Sequence, residues 1–100
     1  MRKIALITGA TSGIGKACAI KFAQNNYDII ITGRRKERLE DLEKELRVFG
    51  ADVLSLNFDV RNNQEVEQYL GNLSGKWQDI DLLINNAGLA AGKEPIIEGS

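Results

Sequence analysis

The sequence predicts an α/β fold: the N-terminal half of a doubly wound parallel sheet, with elements in the order β-α-β-α-β-α-β and strand order 3-2-1-4. Three observations carry this reading. Short apolar runs alternate with longer segments of helical periodicity. The connections are short, so each strand–helix–strand unit closes as a right-handed crossover between parallel strands. A cluster of glycines falls between the first apolar run and the first helical segment.

Each element has its own signature. Ile4 to Thr8 is a continuous apolar run, as expected for a strand buried on both faces. Gly9 to Ser12 is small and polar and reads as a turn. From Gly13 to Asn25, Ile14, Ala17, Cys18 and Phe22 recur at helical spacing, and Asn25-Asn26 is a stop signal. Tyr27 to Thr32, centred on Ile29-Ile30-Ile31, is a second buried strand punctuated by Gly33. Arg35 to Phe49 is a charged helix with a Leu39, Leu42, Leu46 stripe, and Gly50 is placed to cap it. Val53 to Phe58 alternates, with Leu54, Leu56 and Phe58 on one face of a third strand. Asn62 or Asn63 can cap a helix carrying Val66, Tyr69, Leu70 and Leu73. Ile80 to Asn85 is the fourth strand, and residues 86–100, with Gly88, Gly92, Pro95 and Gly99, read as loop. On this reading the fourth strand is left as an open edge.

Composition narrows the chemistry. One hundred residues hold a single small domain. Hydrophobic residues at 43% and charged residues at 27% match a globular chain and argue against disorder. With 13 basic and 14 acidic residues there is no excess positive charge to suggest nucleic acid or a membrane surface as partner. One cysteine and no histidine exclude an internal disulfide, Cys/His zinc sites and Ser-His-Asp or Cys-His catalysis within these residues. The apolar run after Met1-Arg2-Lys3 is too short for a signal peptide, so a reducing, cytoplasmic setting is the expectation. Cys18 falls on the apolar side of its helix and reads as core, and Trp77 and Phe49 read as packing residues.

The glycine turn carries the functional signal. In Thr8-Gly9-Ala10-Thr11-Ser12-Gly13-Ile14-Gly15, Gly9 permits a tight turn, Gly13 lets backbone approach a ligand, and Gly15 lets the helix pack closely on the sheet. A helix N-terminus at this junction offers free N–H groups and a positive dipole end to a pyrophosphate. The strict G-x-G-x-x-G spacing is absent. The G-x-x-x-x-G-K-[ST] phosphate loop is absent too, because Ala10 and Ala17 stand where it needs glycine and a hydroxyl.

Thr8-Gly9-x-x-x-Gly13-Ile14-Gly15 resembles the cofactor motif of the short-chain dehydrogenase/reductase family. Asn85-Asn86-Ala87-Gly88 after the fourth strand is similar to that family's N-N-A-G signature, and Asp59-Val60 stands where the family places an adenine-contacting Asp. The resemblance spans residues 8 to 88 and implies a Rossmann-like fold. It also implies roles: Gly9, Ser12, Gly13, Ile14 and Gly15 along the pyrophosphate, Asp59 and Val60 at the adenine, and Asn86, Ala87 and Gly88 against the riboses.

The end of the second strand bears on the choice of cofactor. A site for NAD(H) places an acid there to bond the ribose 2′-hydroxyl. Here the position is Gly33, followed by Arg34-Arg35-Lys36. Guanidinium groups bind a 2′-phosphate bidentately, so NADP(H) is expected ahead of NAD(H), with Arg34 first and Arg35 second at the phosphate. Cations at a helix N-terminus oppose its dipole, which makes a purely structural role for them unfavourable.

The family's chemistry depends on a Tyr-x-x-x-Lys pair with a nearby Ser and Asn. Tyr27 and Tyr69 are followed four residues on by Ile31 and Leu73, so neither forms the pair, and no catalytic residue is assigned within residues 1–100. The resemblance therefore implies that residues 1–100 form an NADP(H)-binding half-domain of an oxidoreductase acting on a small alcohol or carbonyl. The chain is expected to stop before the catalytic segment and to be inactive alone. Its parent is expected to form a homodimer or homotetramer. Leu89 to Pro95 resembles the subgroup acting on short 3-hydroxy acids such as serine or allo-threonine. The alternatives are a 3-oxoacyl, sugar or ketone reductase, a non-catalytic dinucleotide-binding module, and an FMN-binding flavodoxin-like module.

Overall fold

The computed structural model describes residues 2–11 and 13–86, with the backbone of 96–99. The described elements are β1 (Lys3–Thr8), α1 (Gly13–Gln24), β2 (Tyr27–Gly33), α2 (Lys36–Arg47), β3 (Val53–Asn57) and α3 (Asn63–Leu70). A 3-10 turn (Gly75–Gln78), β4 (Leu82–Asn85) and β5 (Ile96–Gly99) follow. Among the described residues the strands form one sheet in the order β3-β2-β1-β4-β5. β1, β2, β3 and β4 are mutually parallel, as the expected order 3-2-1-4 requires.

β5 corrects the expectation of a loop over residues 86–100. Its backbone pairs antiparallel with β4, Leu82 opposite Gly99 and Asn85 opposite Ile96. β4 is therefore flanked on both sides rather than open. Ile96-Ile97 are β-branched residues of the kind strands favour, but two of them between Pro95 and Gly99 are too few to show a strand period.

The apolar runs bury both faces of the sheet, because alternate side chains point to opposite sides. Ala5, Ile7, Ile29, Ile31 and Ile84 pack under α1 and α2, whose Leu39, Leu42 and Leu46 complete that core. Ile4, Leu6 and Ile30 face the other way, against Leu54, Leu56, Leu70, Leu73 and Trp77. This second layer is thinner, since α3 contributes no fully buried residue.

The α1 stripe differs from the expected one. Gly15, Ala19 and Ala23 are its buried residues, while Ile14 is 55% exposed and Ala17 is exposed. The helix lies too close to the sheet for larger groups directly beneath it. Cys18 and Phe22 pack at its flanks instead, and Phe22 meets the Tyr27 ring edge-on at 4.9 Å.

The helix ends follow local chemistry. Gly50 has φ of 82° beyond the end of α2, where its N–H returns to the Arg47 carbonyl. Asn62 caps α3, its Oδ1 accepting from the N–H groups of Gln64 and Glu65.

At the N-terminal end of the strands, Asp28 is buried at 4% exposure and gathers several partners. It accepts from the Asp52 N–H at 2.9 Å and pairs with Lys76 at 3.0 Å and Arg2 at 2.8 Å. Lys76 also pairs with Asp52. These contacts pin the connection before β4 to the bottom of the sheet.

Candidate dinucleotide site

β1 pairs with β2 on one side and β4 on the other, so the direction of strand succession reverses beside it. Doubly wound sheets bind ligands at this switch point, outside the carboxyl ends of the strands. Side chains and backbone lock those ends together here. Thr8 Oγ1 donates to Asn85 Oδ1 at 2.9 Å, joining β1 to β4. The Ala10 N–H donates to the Thr32 carbonyl at 3.0 Å, joining the glycine turn to β2. Asn57 Nδ2 donates to the Gly33 carbonyl at 2.9 Å, joining β3 to β2. Asn86 Nδ2 donates to the Gly9 carbonyl at 3.0 Å.

Above this seam lies a cavity of about 600 Å³. It brings together most of the residues singled out from the sequence: Gly9, Gly13, Ile14, Arg34, Arg35, Asp59, Val60 and Asn86 all line it. Ser12, Ala87 and Gly88 lie outside the described residues. Gly15 is the exception. It is buried, and a Cβ there would come within 2.4 Å of the Gly9 carbonyl oxygen and 2.6 Å of Asn86 Nδ2. It is not among the residues lining the cavity and lets α1 approach the turn closely.

The other glycines have distinct tasks. Gly9 has φ of 61°, a left-handed conformation that turns the chain sharply from β1 toward α1. A Cβ on Gly13 would meet nothing within 4 Å, so this position opens onto free space at the N-terminus of α1. Five residues that sequence reasoning did not assign to the site also shape the cavity: Thr11, Thr32, Arg38, Phe58 and Arg61. Arg38 follows Arg34 by four residues, a spacing visible in the sequence. Arg61 stands two residues after Asp59. Thr32 is fully buried, and its Oγ1 has no hydrogen-bond partner among the described residues.

The charges are distributed unevenly. Arg34, Arg35 and Arg38 are exposed, and none forms a salt bridge with a described residue. Asp59 is engaged by Arg61, which reaches its Oδ2 through Nη2 at 3.0 Å and its Oδ1 through Nε at 3.1 Å. The Arg61 N–H adds a third bond at 2.9 Å. These bonds, with Arg34 at longer range, bring the Asp59 carboxyl down to about 2, so it is ionised throughout the neutral range. The Arg61 guanidinium is correspondingly held further above its ordinary value by Asp59.

An open glycine at a helix N-terminus, an exposed apolar Ile14 and three unpaired guanidiniums form a surface suited to a phosphorylated nucleotide. Among the described residues no group of His, Cys, Asp and Glu could hold a metal ion. No described helix is long and apolar enough to cross a membrane.

Comparison with known proteins agrees with this geometry. NADP-dependent 3-hydroxy acid dehydrogenase YdfG of Salmonella typhi is 47% identical over 97 residues, covering 97% of this chain and 38% of that protein. Serine 3-dehydrogenase of Rhizobium radiobacter is 46% identical over 90 residues, covering 90% of this chain and 35% of that protein. The solved structure of L-sorbose reductase from Gluconobacter frateurii, complexed with NADPH and L-sorbose, superposes with a TM-score of 0.80 at 35% identity. It covers 87% of this chain and 34% of that one. The chain thus spans little more than a third of the length of these relatives. The family profile described as short chain dehydrogenase matches residues 3–100, and with the fold and the glycine turn already in place, the chain belongs to the short-chain dehydrogenase family.

Proposed function

We propose that the chain is the NADP(H)-binding half-domain of an oxidoreductase that moves a hydride between nicotinamide and a small alcohol or carbonyl substrate. The observation that carries the cofactor choice is the end of β2. Gly33 stands where an acid would bond a ribose 2′-hydroxyl, and Arg34, Arg35 and Arg38 surround the cavity beside it. A 2′-phosphate adds negative charge and three acceptor oxygens, which a guanidinium fork satisfies and a carboxylate repels.

The residues present fit this cofactor. Gly9, Ser12, Gly13 and Ile14 would hold the pyrophosphate at the start of α1, with Gly15 supporting the turn from below. Asp59 and Val60 would hold the adenine. Asn86, Ala87 and Gly88 would lie along the riboses, with Asn86 also fixing the glycine turn. When bound, NADP(H) supplies the hydride at its nicotinamide ring. The chain's own residues would bind and orient the cofactor, while Tyr27 and Tyr69, with Ile31 and Leu73 four residues on, supply no Tyr-x-x-x-Lys pair for proton transfer.

For the substrate we infer a short 3-hydroxy acid such as serine or allo-threonine. The names of the relatives from Salmonella typhi and Rhizobium radiobacter support it, as does the Leu89 to Pro95 resemblance. The whole protein would assemble as a homodimer or homotetramer.

The test is a titration of the chain with NADPH and NADH, followed by the change in nicotinamide fluorescence. NADPH is expected to bind more tightly, and Arg34→Ala to weaken NADPH at least tenfold while leaving NADH nearly unchanged. Equal binding of the two nucleotides, or an unaltered NADPH affinity in Arg34→Ala, would overturn the cofactor assignment.

A further inference from the structure

We infer that Arg61 is a specificity-determining positioning residue: by pairing with Asp59 it removes an uncompensated negative charge from the nucleotide cavity and so lets that cavity accept a phosphorylated ribose. The inference rests on the reading of the cavity as a dinucleotide site and deepens it.

The cavity contains a conflict of charge. It carries Asp59, and it also carries Arg34, Arg35 and Arg38. An acid that serves the adenine repels a phosphate on the same nucleoside, because both groups sit within one small cavity where charges interact over several ångströms. Arg61 resolves this locally. Its Nη2 and Nε reach both carboxylate oxygens, at 3.0 and 3.1 Å, and its own N–H donates to Oδ1 at 2.9 Å. The fork leaves the remaining lone pairs of the carboxylate available as acceptors while cancelling its charge.

The pairing is built rather than incidental. The Asp59 N–H donates to Glu65 Oε2 at 3.0 Å, which fixes the backbone that presents the carboxylate. The Asn62 N–H returns to the Asp59 carbonyl at 3.0 Å, closing the turn that carries Arg61 back over Asp59. Arg34 feels Asp59 through space, so the acid and the phosphate-facing cations already share one field. With Arg61 neutralised against Asp59, Arg34, Arg35 and Arg38 are left to act on the ligand.

The experiment compares NADPH and NADH dissociation constants for the chain and four variants, Arg61→Gln, Arg61→Lys, Asp59→Asn and the double variant, at low and high salt. Arg61→Gln is expected to lower the preference for NADPH over NADH by about threefold to tenfold at low ionic strength, and by less as salt is raised. Arg61→Lys, which keeps the charge, should retain most of the preference. Asp59→Asn should raise the preference, since Arg61 is then an additional free cation. The double variant should return the preference to that of the unaltered chain, although both nucleotides bind less tightly.

Two results would overturn the inference while leaving the cofactor assignment intact. One is an equal loss of NADPH and NADH in Arg61→Gln. The other is a double variant that keeps the low preference of Arg61→Gln, which would mean that Arg61 contacts the phosphate directly. An unaltered chain with no preference for NADPH overturns the cofactor assignment and this inference with it. If Arg61→Gln fails to fold, as judged by circular dichroism, Asp59→Asn decides, and an unraised preference there sinks the inference.

Discussion

Asn86, the residue after β4, donates its side-chain amide to the carbonyl of Gly9, 77 positions earlier in the chain, at 3.0 Å. A side chain that follows the fourth strand therefore fixes the turn that follows the first. Removing this bond in Asn86→Ala should destabilise the chain by about 1–2 kcal/mol. It should also weaken nucleotide binding, because Gly9 lines the cavity. Urea unfolding alongside an NADPH titration checks both, and a variant with unchanged midpoint and affinity would show that the bond does neither.

Gly13 and Gly15 should respond to alanine in opposite ways, although they are two residues apart on α1. Replacing glycine by alanine inside a helix ordinarily stabilises by about 0.5–1 kcal/mol. At Gly15 the sign should reverse, because the new Cβ would come within 2.4 Å of the Gly9 carbonyl oxygen. Overpacking of this kind costs about 1–3 kcal/mol or more. At Gly13 nothing lies within 4 Å, so Gly13→Ala should fold as well as the parent and lose nucleotide affinity instead. Thermal melts with and without NADPH separate the two effects. Similar melting temperatures for both variants would contradict the assigned roles.

The Asp28 cluster predicts an acid-sensitive component of stability. Burial pushes the Asp28 carboxyl up, but the Asp52 N–H, the Lys76 ammonium and Arg2 outweigh it and hold it below its ordinary value of 3.8. A folded-state value below the unfolded one stabilises the fold fully above the unfolded value, and the contribution is lost as pH falls through the folded value. Asp28→Asn should therefore cost about 1–3 kcal/mol near neutral pH, with the gap to the unaltered chain narrowing below about pH 4. Denaturant midpoints at several pH values test this, and a gap independent of pH would refute it.

Thr32 offers a test of a different kind. Its hydroxyl is buried, lies at the floor of the cavity and has no described hydrogen-bond partner. Thr32→Val keeps the shape and removes the orphan group, so stability should hold or rise by about 1 kcal/mol. A clear loss of stability in calorimetry would show that the hydroxyl is bonded in the folded chain.

The sequence made the frame legible because its signals were local and repeated. Ile29-Ile30-Ile31 can only be buried on both faces, and the Leu39, Leu42, Leu46 stripe fits one helical face. The glycine turn, Arg34 and Asp59 stood out because each falls at the end of a strand, where a switch-point site collects its residues. What was illegible depended on distance and orientation. The α1 stripe differs from its apolar spacing because close approach to the sheet favours Gly15, Ala19 and Ala23 over larger apolar neighbours. Arg61 carries no signal of its own in the sequence, because its importance lies in folding back onto Asp59, which composition does not reveal. The pairing of Ile96–Gly99 with β4 is illegible because a four-residue segment holding Ile96-Ile97 and ending in Gly99 is too short to show a period.

The central position of β1 also sets an order of assembly. β1 meets β2 after about one helix of intervening chain, whereas its pairing with β4 joins Ala5 to Leu82 and Thr8 to Asn85. Contacts across so long a stretch carry a larger loop-closure cost and form late. The half of the sheet made by β1, β2 and β3 can therefore be in register before β4 arrives, and the docking of β4 is the step that brings Asn86 under Gly9. Maturation of the nucleotide cavity becomes a late kinetic event, so the appearance of binding competence in a refolding experiment should lag behind the appearance of helix.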